Sequence, residues 1–272
     1  VKLRKIARMG TGDERLALAA PAPARGFTSR FRDVGGLRLH ARVRDGSGGP
    51  AHVLLHGLAV SHRYLMPTAA ALPGDVHVPD LPGFGLSARP RRVLDVGEHA
   101  DVVAAWMDAA GLSSATLMGN SFGCQVAVEI AVRRPDLTAA LVLVGPTVDP
   151  AAPTPAGQAF RWLRDVAYED PRQARIIARD LRDAGIRRVY RTLRHSTRHA
   201  IAERLPLVAA PVLVLRGEHD RIAPPEWVAA LTPDGNRGTV PLAAHNAMTT
   251  AGRSIAALAV SAASAGGVGY GG

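Results

Sequence analysis

The sequence predicts an α/β fold: a mostly parallel sheet flanked by helices, interrupted late in the chain by a helical insertion. Three observations carry that expectation. Short apolar runs bounded by turn residues alternate with longer runs whose apolar residues recur at helical spacing. One strand–turn–helix passage, 114–134, holds a serine between two glycines at its turn. After Gly145-Pro146 the alternation stops, 147–205 becomes arginine-rich and helical, and a strand-like run resumes at Pro211.

The elements follow in order. Residues 27–34 and 37–43 read as an antiparallel strand pair joined at Gly35-Gly36, because a two-glycine link supplies the backbone angles a tight hairpin needs. A turn over 45–50 leads to a buried strand at 52–55, and 76–78 reads as the next strand. Residues 95–110 form an amphipathic helix closed by Gly111. The run 114–118 is a short apolar strand. From 122 to 134 the apolar residues Val126, Ala127, Ile130 and Ala131 keep helical spacing. Arg133-Arg134-Pro135 then places cations at the negative helix end, followed by a helix stopper. Residues 139–144, 211–217 and 238–242 read as three further strands, and 252–265 as an alanine-rich helix of weak amphipathicity.

Composition bounds the function classes. At 272 residues the chain buries a large core as one domain carrying an insertion. The expected organisation is a basic, flexible N-terminal arm at 1–26, a core at 27–146 and 206–265, a helical cap at 147–205 and a glycine-rich flexible tail at 266–272. An export signal is the alternative for the arm, but the apolar run 16–20 is short for one. No apolar run reaches the roughly 20 residues that span a bilayer. The single cysteine, Cys124, excludes an internal disulfide and fits a reducing compartment, so a cytoplasmic location is expected. Its expected role is a small buried residue. The formal charge is +10, yet only Lys2 and Lys5 are lysine and aromatics are few. Without a basic stripe interleaved with aromatics, no nucleic-acid partner is expected. No membrane partner is expected either, and the oligomeric state is left open.

Chemistry concentrates at Gly119-Asn120-Ser121-Phe122-Gly123. A serine pinned between strand and helix adopts strained backbone angles, and Gly119 and Gly123 omit side chains that would collide in so tight a turn. Such strain is retained where the exposed hydroxyl has a use. Candidate partners lie downstream at Asp220 and His245. A serine hydroxyl is a poor nucleophile at neutral pH; His245 would take its proton and later return it to the leaving group, and Asp220 would orient the imidazole and stabilise its charged form. Asp149 is the reserve for the acid. In a parallel sheet these distant segments all end at one carboxyl edge.

With the order serine, acid, histidine, the chain resembles the α/β-hydrolase fold superfamily. The resemblance runs from about Phe31 to about Ile255, on His56-Gly57, the turn Asp80-Leu81-Pro82-Gly83-Phe84-Gly85, the elbow, Asp220 and His245. It implies an eight-stranded, mostly parallel sheet with a small helical cap inserted after strand 6, which covers the nucleophile and shapes the pocket. It implies an oxyanion hole from the backbone N–H groups of Leu58 and Phe122, worth roughly 100- to 1,000-fold in rate per donor. Asp80 is expected to accept local hydrogen bonds, and His56 to be a structural hydrogen-bonder. The elbow is similar to that of meta-cleavage product hydrolases, but Asn246 stands where those enzymes often carry an aromatic, and Cys124 where many relatives carry a second glycine.

The implied activity is hydrolysis of a small to medium carboxylic ester, thioester or lactone through an acyl-enzyme. A carbon–carbon hydrolase, an acyltransferase and a catalytically silent binding protein are the alternatives. Dehalogenase and epoxide-hydrolase relatives carry aspartate where Ser121 stands. No cofactor and no metal are expected, since His52, His56, His62, His77 and His99 lack metal-ligand spacing. The cap arginines are expected on solvated faces or paired with Asp165, Glu169, Asp170, Asp180 and Asp183, the alternative being one or two turned inward as a carboxylate clamp. Phe160, Trp162 and Tyr168 are expected chiefly to seat the cap on the core.

Overall fold

The computed structural model describes residues 26–265, apart from 47, 48 and 50. The expected N-terminal arm, but for Gly26, and the expected glycine-rich tail lie outside the described residues. Eight strands form one sheet: β1 (Thr28–Val34), β2 (Leu37–Arg44), β3 (Ala51–Leu55), β4 (Val76–Pro79), β5 (Ala115–Asn120), β6 (Thr138–Val144), β7 (Val212–Gly217) and β8 (Arg237–Val240), in the order β1-β2-β4-β3-β5-β6-β7-β8. The β1–β2 and β2–β4 pairings are antiparallel and all the others parallel. The hairpin link is as its glycines suggest, with Gly35 at φ 55° and Gly36 at φ 80°.

The helices are α1 (His62–Ala71), α2 (Val96–Ala109), α3 (Phe122–Arg133), α4 (Pro155–Val166), α5 (Ala174–Ala184), α6 (Ile186–Ser196), α7 (Ile201–Arg204), α8 (Pro225–Leu231), α9 (Ala247–Thr250) and α10 (Gly252–Ala265). Strands β3 and β5 are buried throughout. Their alternation divides the core between two faces. Val53, Leu55, Leu117, Leu141 and Leu143 pack with Trp106 of α2 and Val126 and Ile130 of α3. Leu54, Met118, Val142 and Val144 pack on the other face with Tyr64 and Leu65 of α1 and Ile255 of α10. Burying each large side chain contributes about 1.5–3 kcal/mol, so this two-sided core holds the central strand ends in place.

Helix α2 is anchored by a reciprocal cap: Glu98 N–H donates to Asp95 Oδ1 at 2.8 Å, and Asp95 N–H donates to Glu98 Oε2 at 3.0 Å. Helix α10 packs closely despite its weak periodicity. Ile255, Ala256 and Ala259 are buried, and a Cβ on Gly252 would fall 2.5 Å from the Thr68 backbone nitrogen of α1. The small residues that blur its pattern are what allow two helices to approach.

Helices α4–α7 lie between β6 and β7. Two expectations for this insertion are corrected. Phe160 and Trp162 do not seat it, remaining 60% and 47% exposed, whereas Tyr168 stacks on His219 and accepts a hydrogen bond from Arg221, both of the core. Its acids do not all turn to its arginines either. Asp180 accepts the Ser61 hydroxyl at 2.8 Å and pairs with Arg63, both from the core. Ser196 and Gln125 exchange two hydrogen bonds at 2.8 and 2.9 Å. His199 and Arg204 converge on Glu129 of α3. Polar contacts to α1 and α3 seat the insertion, while Asp183 keeps the expected pairing with Arg179 and Arg182 and is also reached by Arg63 of the core.

Candidate active site

Strand β5 runs straight into α3 with Ser121 at the corner. Ser121 has φ 53° and ψ −117°, a left-handed, strained conformation for a residue with a side chain. The flanking glycines are required by clearance: a Cβ on Gly119 would sit 2.6 Å from Cys124 Cα, and one on Gly123 only 2.2 Å from the Leu55 carbonyl oxygen. The turn is fastened to β6, because Ser121 N–H and the Asn120 side-chain amide both donate to Val144 O, at 3.0 and 3.1 Å.

Gly145, the residue just after β6, abuts the other two candidates. A Cβ there would fall 2.9 Å from His245 Nδ1 and 3.0 Å from Asp220 Oδ2. The serine turn and the His245–Asp220 pair therefore meet at the carboxyl end of one strand. His245 Nδ1 lies 3.0 Å from Asp220 Oδ2, and both side chains are buried. Asp220 Oδ1 also accepts the N–H groups of Ile222 and Ala223, each at 2.8 Å. Burial by itself would lower the His245 pKa. The Asp220 charge and hydrogen bond, with Asp165 and Glu169 behind them, reverse that and raise it to about 9. The reserve acid, Asp149, is engaged elsewhere, 2.6 Å from Arg161 Nη1. Gly217 lets the two loops meet: a Cβ there would be 2.2 Å from Ala244 O.

Strand β3 delivers the His56-Gly57-Leu58 loop against the serine. A Cβ on Gly57 would lie 3.2 Å from Ser121 Cβ. His56 Nε2 accepts the Leu81 N–H at 2.9 Å, so Nδ1 carries the proton that goes to Gly57 O at 2.8 Å. The buried ring thus ties this loop to the 80–85 turn. Phe122 opens α3, so its backbone N–H stands at the positive end of a helix. Cys124 is fully buried with Sγ 3.2 Å from Gly119 O, and burial pushes its thiol pKa up, which leaves no reactive thiolate.

Asp80 accepts from four donors: the N–H groups of His62 and Leu86, at 2.8 and 2.9 Å, and the Nδ1 atoms of His40 and His62, at 2.8 and 2.9 Å. Burial would raise its carboxyl pKa; the two histidines overcome this and hold it well below the usual range. Gly85 is needed beside it, since a Cβ would fall 2.2 Å from Asp80 Cγ. Among the described residues, His40, His62 and Asp80 are one group whose metal-ligating atoms lie within 4.8 Å of one another. Their separation in sequence hides this cluster, which the hydrogen bonds to Asp80 account for.

Sequence reasoning missed the role of two insertion residues. Asp165 and Glu169 reach the loops carrying Asp220 and His245 instead of pairing with neighbouring arginines. Only the approach of α4 to the sheet edge reveals it.

A family model described as alpha/beta hydrolase fold matches residues 50–198. The chain is 33% identical over 138 residues to a haloalkane dehalogenase of Mycolicibacterium paratuberculosis, a match covering 48% of this chain and 46% of that one. Over the aligned region, the chain spans about half the length of the curated relatives it matches at about one-third identity. It is 26% identical over 258 residues to a 2-(acetamidomethylene)succinate hydrolase of Mesorhizobium japonicum, covering 84% and 92% of the two chains. A thermophilic esterase from Thermogutta terrifontis shares the fold, with a TM-score of 0.70 at 22% identity, over 85% of this chain and 96% of that one. Among the described residues, no helix is long and apolar enough to cross a membrane.

Proposed function

Since the chain belongs to the alpha/beta hydrolase fold family, we propose that it is a serine hydrolase that cleaves a small to medium carboxylic ester, thioester or lactone. The observation carrying this reading is the buried His245–Asp220 pair, abutting the same strand end that fastens the strained Ser121 turn. A likeness along nearly the full length of a succinate-derivative hydrolase supports hydrolytic chemistry.

In this reading Ser121 Oγ attacks the substrate carbonyl carbon. Its proton passes to His245 Nε2, because Nδ1 is committed to Asp220. The carbonyl oxygen becomes an oxyanion held by the backbone N–H groups of Leu58 and Phe122, the second backed by the α3 dipole. As the tetrahedral adduct collapses, the carbonyl–leaving-group bond breaks and the leaving group takes the proton from His245. Water, deprotonated by His245, then attacks the acyl-enzyme, and Ser121 is regenerated. No cofactor enters any step.

A p-nitrophenyl ester series of increasing acyl length tests activity and pocket depth together. An organophosphonate probe is expected to label Ser121 covalently, and Ser121→Ala to abolish both labelling and turnover. Failure of the probe and of the whole series would remove this assignment. A carbon–carbon hydrolase would instead turn over dienoate substrates well above aryl esters. That chemistry calls for a carboxylate clamp, and Arg161 is already engaged by Asp149 and the Ile222 carbonyl.

A further inference from the structure

The insertion grips both triad loops with two carboxylates about one helical turn apart in sequence. Asp165 is the penultimate residue of α4, and Glu169 stands in the turn that follows. Asp165 Oδ1 accepts the main-chain N–H of Arg221 at 2.9 Å. Glu169 Oε1 accepts the main-chain N–H of Asn246 at 2.7 Å. Arg221 is the residue after Asp220, and Asn246 the residue after His245. Each carboxylate therefore restrains the backbone one residue beyond a triad side chain.

The arrangement is costly. Asp165 is buried and Glu169 half-buried. Burial, then the contact with Asp165, pushes the Glu169 pKa up to about 7. Two like charges are kept close when either could have faced solvent. The neighbouring arginines are engaged elsewhere, Arg161 with Asp149 and the Arg221 guanidinium over the Tyr168 ring, so the cation that faces the two carboxylates is the His245 imidazolium. Other elements also contribute groups, and Gln173 donates to Glu169 Oε2 at 3.2 Å. From β7, Arg216 donates to the Asp220 carbonyl at 3.0 Å. From α1, Tyr64 donates to Asn246 Oδ1, and burial keeps its phenol protonated. His219 stacks on Tyr168.

We propose that Asp165 and Glu169 are positioning residues for the Ser121–Asp220–His245 triad, fixing the loops that carry its acid and base and adding negative charge around the His245 ring. This rests on the hydrolase reading above. It has two separable parts. The mechanical part needs a hydrogen-bond acceptor at each position. The electrostatic part needs charge, because a carboxylate near an imidazole favours its protonated form. Glu169→Gln keeps the acceptor and removes the charge, whereas Glu169→Ala removes both.

The experiment is an NMR titration of the His245 ring and amide exchange at Asn246 and Arg221, in the full chain without substrate. Glu169→Gln is expected to lower the His245 pKa by about one unit and leave Asn246 protected. Glu169→Ala is expected to raise Asn246 exchange, and Asp165→Ala to raise Arg221 exchange. Against an aryl ester, Glu169→Ala is expected to lower kcat by about 10- to 100-fold with KM little changed. Glu169→Gln should restore most of kcat and move the acidic limb of the kcat/KM profile to lower pH. An unchanged His245 titration in Glu169→Gln, together with unchanged Asn246 exchange in Glu169→Ala, overturns the proposal. If Glu169→Ala does not fold, an unchanged titration in the isosteric Gln variant is sufficient to overturn it. Because the NMR readings need no turnover, a protein inactive on every ester would refute the hydrolase reading while these readings still decide the clamp.

Discussion

Ser121, Asp220 and His245 illustrate how a residue's chemistry is set by what confines it. The hydroxyl is held by a left-handed backbone that the two glycines make possible, and the imidazole by a buried carboxylate that selects its tautomer. Only the neutral imidazole accepts a proton, and the His245 pKa is raised to about 9. The reactive fraction therefore grows with pH, and kcat/KM is expected to climb from pH 7 towards 9 before levelling. Asp220→Asn would leave the wrong tautomer and cost about 10,000-fold in kcat. Asp149→Asn is expected to leave kcat near wild type, since that carboxylate serves Arg161. Steady-state kinetics of the two variants across pH checks both statements.

At the scale of elements, the insertion is attached by hydrogen bonds and ion pairs while much of its aromatic surface stays exposed. Polar contacts demand specific geometry, so they fix where α4–α6 sit above the sheet edge in a way that apolar packing alone does not. The Gln125–Ser196 exchange is fully buried. Gln125→Leu would strip the partner from the Ser196 hydroxyl and carbonyl, at a cost of about 1–3 kcal/mol. A lower denaturant midpoint with an unchanged slope is the expected result. The aromatic residues misled the sequence reading because hydrophobicity says that a side chain prefers burial, whereas chain geometry decides whether a surface is available. The α10 helix was read correctly in place and in its weak amphipathicity; its close packing was not legible, since alanine and glycine weaken the periodic signal while they allow close approach.

For the molecule as a whole, several buried histidines set the pH range of stability. Burial lowers the pKa of His40, His56 and His77, and takes His52 to about 4 and His99 to about 3. Unfolding restores each to about 6.5. Below that pH the unfolded chain binds more protons than the folded one, so stability falls as pH drops from 6.5 towards 3. On the alkaline side, His245 acts oppositely. Its folded pKa is raised, so its contribution is complete below 6.5 and is lost as pH rises through about 9. Glu169, also raised, loses its contribution between its unfolded value, about 4.5, and about 7, which partly offsets the gain from the histidines there. Thermal unfolding is expected to show a maximum Tm near pH 6 to 7, and His99→Leu to flatten the acid limb. A Tm that climbs steadily from pH 6 down to 4 would contradict this account.

The strands, the hairpin and the strained serine turn were written in local patterns, because strand alternation, helix periodicity and glycine clearance act over a few residues, while the eight-stranded arrangement and the expected partners of Ser121 came from the family resemblance. The eight strands follow those patterns closely, from the Gly35-Gly36 hairpin to β8. What the tertiary structure alone decided depends on segments meeting from far apart. It joined His40 and His62 on Asp80, turned Asp180 towards Arg63, left Trp162 in solvent, and brought Asp165 and Glu169 to the loops of Asp220 and His245. A buried charge takes the partner that the packed chain presents to it, and spacing along the sequence carries no record of that choice.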